Sequence, residues 1–142
     1  MIQLDVKCPH CGKSLMDEEH TIDGRPSVNV IIELKKKRGW LRLSSLYGSY
    51  NMESEFSIPE EEIVRFFCPH CDSNLRVPRD CEKCGAPMVA VKIVGGAMVE
   101  ICSRRGCKKH LIEFENLERE LSAFYDAFSY AFRGISKKGD EK

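Results

Sequence analysis

Four pairs of closely spaced cysteines constrain the fold of this chain more than any other feature of its 142 residues. The third and fourth pairs, Cys81/Cys84 and Cys102/Cys107, flank two apolar runs that are joined by a Gly-Gly sequence. Because glycine tolerates the positive φ angles of a tight turn, these runs are predicted to form a β-hairpin. The open end of the hairpin would bring four thiolates together, and four thiolates in a tetrahedron are a ligand set of structural Zn²⁺.

The first and second pairs, Cys8/Cys11 and Cys68/Cys71, stand in identical Cys-Pro-His-Cys segments. Four pairs can combine in three ways, and the hairpin favours joining the third pair to the fourth, which leaves the first two pairs to share a metal. The alternative joins the second pair to the third across a short spacer, and the Gly-Gly hairpin then has no obvious purpose. The predicted ligands are therefore Cys8, Cys11, Cys68 and Cys71 for site 1 and Cys81, Cys84, Cys102 and Cys107 for site 2.

Short patterned segments between the cysteine pairs predict β-strands and turns. Residues 28–34 alternate as in a half-buried strand, residues 35–39 close that strand as a charged turn, and residues 40–43 form the returning strand. Residues 63–67 are a further strand that leads directly into the second pair. The polar residues 16–26 are predicted to be turn-like.

The order of these segments also predicts a weak internal repeat, in which each cysteine pair forms a tight turn that we call a knuckle. A long copy of knuckle, strand, turn, strand and knuckle would run from Cys8 to Cys71, and a short copy from Cys81 to Cys107. The predicted units are an N-terminal module with a β-hairpin insertion over residues 1–77, a C-terminal module over 78–114, an amphipathic helix over 115–134 and a charged tail over 135–142.

The C-terminal part of the chain has the periodicity of an amphipathic α-helix. Its apolar residues recur at intervals of three and four and form one stripe, while the charged residues fall away from it. A short sheet is expected to cover such a stripe only in part, so we predict that the helix binds a protein partner or a second copy of the chain. The partner-binding residues are Leu117, Leu121, Phe124, Tyr125, Phe128 and Phe132.

Charge and hydropathy limit the partners that the chain is expected to have. Lysine plus arginine equals aspartate plus glutamate at 22 each, which removes the overall positive field of most nucleic-acid-binding proteins. Two basic tips remain as candidate nucleic-acid contacts, and binding through them is expected to be weak. They consist of Lys35, Lys36, Lys37, Arg38, Arg104, Arg105, Lys108 and Lys109. No membrane span and no secretory signal can be recognised, so we expect a cytoplasmic protein with reduced thiols and no membrane contact.

The chain is not expected to be an enzyme. A metal with four thiolate ligands has no open position for a water molecule or a substrate. No Ser/His/Asp set, phosphate-binding glycine loop or pair of catalytic carboxylates can be picked out. His110, three residues after Cys107, is a weaker candidate for the fourth ligand of site 2, and His10 and His70 are expected to point away from the metal.

The cysteine pairs resemble those of zinc-ribbon proteins with rubredoxin-type knuckles, in which glycine follows the second cysteine, as Gly12 and Gly85 do here. Asp72 departs from this pattern after the second pair, and the fourth pair has a spacer of four residues instead of two. The resemblance covers the metal sites and their strands, but neither residues 22–62 nor the C-terminal helix, and it implies two zinc-ribbon-like modules of antiparallel hairpins. The predicted fold is therefore mostly β, and the C-terminal α-helix is added on the evidence of its periodicity. The resemblance also implies two Zn²⁺ ions, with iron as the alternative.

Three functions remain open, because zinc ribbons serve many processes and the resemblance implies a fold more than a function. We favour a non-catalytic two-zinc accessory or adaptor protein that acts through protein contacts. The alternatives are a nucleic-acid-binding zinc ribbon related to transcription or translation, and a rubredoxin-like iron electron carrier.

Overall fold

The computed structural model describes residues 3–107 and the backbone of residues 110–114, and this part of the chain contains strands and no helix. The strands are β1 (Val6–Lys7), β2 (Met16–Ile22), β3 (Arg25–Leu34), β4 (Lys37–Leu43), β5 (Met52–Ser54), β6 (Arg65–Phe67), β7 (Arg76–Asp80), β8 (Pro87–Ile93), β9 (Ala97–Cys102) and β10 (His110–Phe114). The predicted mostly β class is confirmed. The predicted helix over residues 115–134 and the tail that follows it lie outside the described residues.

The strands form two five-stranded antiparallel sheets. Sheet 1 has the order β2-β3-β4-β5, with β6 paired to β3, and sheet 2 has the order β1-β8-β9-β10, with β7 paired to β8. The predicted Gly-Gly hairpin connects β8 to β9. Gly95 and Gly96 have φ angles of 115° and 114°, and the Gly96 amide donates a hydrogen bond to the Ile93 carbonyl at 3.0 Å.

Two copies of one structural unit make up most of the described chain. In copy 1 (residues 3–49) and copy 2 (residues 63–107), a short strand leads into a Cys-Pro-His-Cys knuckle, and three further strands follow. The copies exchange their first strands. In sheet 2, Val6 of β1 pairs with Ile93 of β8, and in sheet 1, Phe66 of β6 pairs with Ile32 of β3. Each sheet is therefore completed by a strand from the other copy.

Backbone hydrogen bonds recur at matching positions in the two copies. The Leu4 amide donates to the Ser45 carbonyl at 2.8 Å, and the Val64 amide donates to the Ser103 carbonyl at 3.1 Å. The internal repeat thus has different boundaries from the predicted ones. The knuckles of the first and second cysteine pairs are equivalent to each other, because each follows the first strand of its copy.

Inward-facing apolar residues of both sheets form one shared core. Val28, Val30 and Ile32 alternate along β3 and are buried, as are Val89 and Ile93 on β8. Since side chains alternate between the two faces of a strand, each set lies on one face of its sheet. The core is therefore built jointly by the two copies.

Two segments differ from their predicted structure. Residues 16–26 are not merely turn-like, because Met16–Ile22 form β2; its side chains are mostly exposed, so the strand carries no apolar alternation. The charged turn is shorter than predicted, because Lys37 and Arg38 belong to β4 and pair with Leu34 and Glu33. The module boundary at residue 77 stays a prediction; this position lies within β7.

Candidate metal centres

Site 1 joins the two copies, because each copy contributes one cysteine pair, Cys8/Cys11 from copy 1 and Cys68/Cys71 from copy 2. Cys8 Sγ lies 3.8 Å from Cys71 Sγ, and Cys11 Sγ lies 3.8 Å from Cys68 Sγ. Four sulfurs at about 2.3 Å from a tetrahedral metal are roughly 3.8 Å apart, so this spacing fits a bound ion. The equal distances agree with the equivalence of the two copies.

The knuckles of site 1 direct backbone amides at their first sulfur. The amides of His10 and Cys11 donate to Cys8 Sγ at 3.3 Å and 3.4 Å, and the same two bonds are made to Cys68 Sγ in copy 2. Hydrogen bonds of this kind stabilise a thiolate, which is the form that binds metal. The His70 side chain points away from the sulfurs of site 1, since its Nε2 atom lies 3.0 Å from the Ser14 carbonyl oxygen.

A left-handed residue follows the second cysteine of three knuckles. Gly12 and Gly85 have φ angles of 77° and 80°, and Asp72 adopts the same conformation with a φ angle of 60°. Aspartate is among the few residues with a side chain that enter this region. Arg38 Nη2 donates to the Asp72 carboxylate at 2.6 Å. The departure at Asp72 therefore leaves the shape of the knuckle unchanged.

Site 2 lies within copy 2, at the open end of the hairpin formed by β8 and β9. Cys81 Sγ lies 3.8 Å from Cys107 Sγ, and Cys84 Sγ lies 3.3 Å from Cys102 Sγ. Gly106, with a φ angle of 92°, turns the four-residue spacer of the last pair back towards the metal site. The unusual spacer length is therefore compatible with a four-sulfur site.

Both predicted groups of four cysteines are brought together, and the alternative pairing does not occur. Within each group the ligand sulfurs all lie within 4.8 Å of one another, so each group could hold a metal ion. Sets of four thiols bind zinc and also single iron ions.

Each site combines two buried thiols with two more accessible ones. Burial raises the pKa of Cys68 to about 12 and also raises the pKa of Cys102. The hydroxyl of Ser73 lowers the pKa of Cys71 to about 6, and the backbone amide of Ala86 lowers that of Cys84 to about 6. A divalent cation would favour the thiolate at all four of these positions, because its positive charge stabilises the anion and offsets the loss of solvation at Cys68 and Cys102.

The arginines of the last knuckle bind to the chain itself. Arg105 Nη1 donates to the Ile58 carbonyl at 2.6 Å and lies 3.3 Å from the Glu60 carboxylate. Arg104 Nη1 donates to the Glu61 carbonyl at 3.0 Å, and the Arg104 side chain adds to the lowering of the Cys84 pKa by the Ala86 amide. These contacts attach residues 58–62 to site 2 and favour a structural role for both arginines.

The other basic tip lies at the turn between β3 and β4. Lys35 and Lys36 are exposed in this turn. On β4, Lys37 Nζ lies 5.0 Å from the centre of the Phe56 ring, and the Arg38 guanidinium lies 4.5 Å from that of Phe67. Residues outside the described part of the chain include Lys108, Lys109 and the predicted partner-binding residues Leu117, Leu121, Phe124, Tyr125, Phe128 and Phe132.

A polar cluster around Asp23 was not predicted from the sequence. The hydroxyls of Ser44 and Ser49 each donate to Asp23 Oδ2 at 2.6 Å, and Asn51 Nδ2 donates to Oδ1 at 2.7 Å. These hydrogen bonds, that of Ser44 first, hold the pKa of Asp23 below its usual value. The spacing of Ser44 and Ser49 repeats that of the fourth cysteine pair, and this match is the signal that could have found the cluster.

No family model, no curated protein and no solved structure matches this chain. Within residues 3–107 and 110–114, no helix is long and apolar enough to cross a membrane.

Proposed function

We propose that this chain is a non-catalytic, cytoplasmic two-zinc protein that acts as an accessory or adaptor through protein contacts. The observation that carries the proposal is that thiols of the chain supply all four ligands in each group. Zinc bound in this way has no position for a water molecule, so it stabilises structure instead of catalysing hydrolysis.

The two sites differ in their apolar surroundings, because Cys8 and Cys68 of site 1 are buried in the shared core. Site 1 joins knuckles from two copies that share one core, and site 2 is surrounded by a separate small cluster that includes Ala86 and Met88. Binding of a structural zinc ion contributes about 10–16 kcal/mol. This is comparable with the whole stability of a typical domain, which is about 5–15 kcal/mol. Two such ions would therefore determine whether the chain folds.

Metal analysis of the purified protein, together with its absorbance spectrum, tests the proposal. We expect about two zinc ions per chain and no visible absorption, because zinc has a filled d shell. Iron with visible absorption bands would replace the proposal by the electron-carrier alternative. A folded protein that contains no metal would refute both.

Protein contacts are proposed because apolar groups lie at the surface. Tyr50, Ile63 and Val94 are exposed to 45%, 40% and 40%, and Tyr50 also lines an apolar cavity of about 310 Å³ between the two sheets. Single exposed apolar residues are common on protein surfaces, so the apolar cavity is the feature that supports an interface with another protein. The predicted stripe over residues 117–132 would extend such a surface.

Nucleic-acid binding is the second candidate, and the exposed turn at Lys35 and Lys36 is the feature that favours it. Two lysines supply few phosphate contacts, and affinity depends on the number of phosphates neutralised. Since Arg104 and Arg105 contact the chain itself, we rank this function below the adaptor function.

A further inference from the structure

Copy 1 has a position that corresponds to site 2 of copy 2, and its serines stand where site 2 has cysteines. Ser44 directly follows β4, and Cys102 is the last residue of β9. The residues before them, Leu43 and Ile101, pair with equivalent valines of β3 and β8. Ser44 and Cys102 therefore occupy the same position in the two copies.

The second serine of the cluster matches the last cysteine of site 2. The Ser49 amide donates to the Leu46 carbonyl at 3.0 Å, and the Cys107 amide donates to the Arg104 carbonyl at 3.2 Å. Both bonds close a turn of the same length after the equivalent strand. Ser49 is therefore the counterpart of Cys107.

The turn between β2 and β3 stands where copy 2 has the third knuckle. In copy 1, Ile22 pairs with Arg25 and leaves a turn of two residues, Asp23 and Gly24. In copy 2, the Cys81 amide donates to the Ala86 carbonyl at 2.7 Å and encloses four residues, which include the second ligand of the pair. The shorter turn of copy 1 has no room for two ligands.

Hydrogen bonds in copy 1 connect the same parts of the unit that a metal would connect in copy 2. The Asp23 carboxylate accepts bonds of 2.6 Å from both Ser44 and Ser49, and so ties the turn to the end of the hairpin formed by β3 and β4. Hydrogen bonds to an ionised carboxylate are stronger than those between neutral groups. The carboxylate can therefore serve as a cross-link without a metal.

We infer that the Asp23 cluster is the metal-free counterpart of site 2, and that its place in copy 1 binds a third zinc ion once four thiols are provided there. The inference rests on the proposed function only in that site 2 is taken to hold zinc. It explains why the two copies have four metal-ligating knuckles between them, one in copy 1 and three in copy 2, instead of six.

A graft tests the inference. The variant replaces residues 22–25 by the six-residue sequence of residues 81–86 and also carries Ser44→Cys and Ser49→Cys. We expect three zinc ions per chain instead of two, measured by metal analysis after removal of free metal. The matched control carries the loop exchange alone and should bind two. A folded graft that still binds two ions would overturn the inference, whereas a wild-type chain without zinc would instead refute the proposed function.

A second variant covers the case in which the graft does not fold. Asp23→Ala should retain both zinc ions and lower the midpoint of urea unfolding, because it removes the carboxylate that joins the turn to Ser44 and Ser49. Lys35→Ala is the control, because Lys35 is exposed and its φ angle of 58° matches the 59° of Asp23, so alanine is strained to the same extent at both positions. A midpoint in Asp23→Ala that is no lower than in the control would show that the cluster is no cross-link and would overturn the inference.

Discussion

Ser45 and Ser103 make the same hydrogen bond in the two copies, because each hydroxyl donates at 2.6 Å to the carbonyl oxygen of a proline, Pro26 or Pro87. Both serines are buried. Each bond connects the chain after the last strand of a copy with the start of the hairpin before it. A buried polar bond that recurs in both copies is expected to stabilise the repeated unit.

Replacement of either serine by alanine is expected to lower the free energy of unfolding by about 1 kcal/mol, since a partly buried hydrogen bond to the proline carbonyl is lost. Ser103→Ala should have the smaller effect, because the Pro87 carbonyl also accepts the Ser103 amide at 3.1 Å. Urea unfolding of both variants with zinc present checks this, with the exposed Ser57 changed to alanine as the control. Identical midpoints for Ser45→Ala and the control would contradict the prediction.

Cysteine replacements should separate the two metal sites. Cys71→Ser is expected to release one zinc ion and disturb both copies, because site 1 joins them. Cys84→Ser should release the other ion and disturb copy 2 first, since all four ligands of site 2 belong to that copy. Metal analysis and two-dimensional NMR spectra would show both effects.

His10→Ala is the matched control, because it changes a knuckle residue that contributes only a backbone amide to the sulfur. This variant should keep both ions. Chelation of the wild-type protein should unfold it, since binding energy at such sites is largely folding energy. An apo-protein that keeps its tertiary circular dichroism spectrum would count against structural zinc.

The ligand sets could be predicted from the sequence because cysteine spacing within a knuckle is a local property. The hairpin of β8 and β9 could also be predicted from the sequence, because the Gly-Gly pair indicates a tight turn. Gly95 and Gly96 have the positive φ angles that such a turn requires. Local signals of this kind do not depend on the rest of the fold. They identified the four cysteines of each candidate metal site.

The exchange of first strands could not be predicted, because it depends on pairing between distant residues. Nothing near Val6 or Phe66 indicates that each pairs with the other copy. Strand β2 was missed because its exposed side chains carry no apolar alternation. The Asp23 cluster was not predicted, because serine and aspartate are ordinary turn residues. Its correspondence to site 2 is evident only when the two copies are compared.

Gly39 is predicted to be intolerant of a side chain for steric reasons. A Cβ atom at this position would lie 2.9 Å from Glu55 Oε1 and 3.0 Å from Phe56 Cε2. Overpacking of this kind costs about 1–3 kcal/mol. Gly39→Ala should lower the thermal midpoint at unchanged zinc content, whereas Lys36→Ala, in the exposed turn nearby, should not. A stable Gly39→Ala variant would show that the Glu55 and Phe56 side chains move aside.

Nucleic-acid binding is expected to be weak and sensitive to salt. The variant Lys35→Glu with Lys36→Glu is the suitable probe, because both residues are exposed, while changes at Arg104 or Arg105 would also remove contacts to residues 58–62. Binding to single-stranded and duplex oligonucleotides would be measured at low and physiological salt. Submicromolar binding at physiological salt that this variant abolishes would make nucleic-acid binding the preferred function.

The predicted helix over residues 115–134 supplies the last prediction, which rests on the sequence pattern. Leu117, Leu121, Phe124, Tyr125, Phe128 and Phe132 recur at intervals of three and four and would form one face about four turns long. Apolar surface left in water costs roughly 25 cal/mol per Å² relative to burial, so this face favours contact with a partner.

Phe128 and Phe132 are furthest along the chain from the last cysteine pair and should matter least for folding. Changing both to serine is expected to leave the zinc content and the thermal midpoint nearly unchanged, while self-association or the capture of a partner is lost. Analytical ultracentrifugation and affinity capture with the wild-type and variant chains would measure the difference. If the double variant unfolds instead, the stripe belongs to the core of the protein, and the adaptor proposal loses its main support.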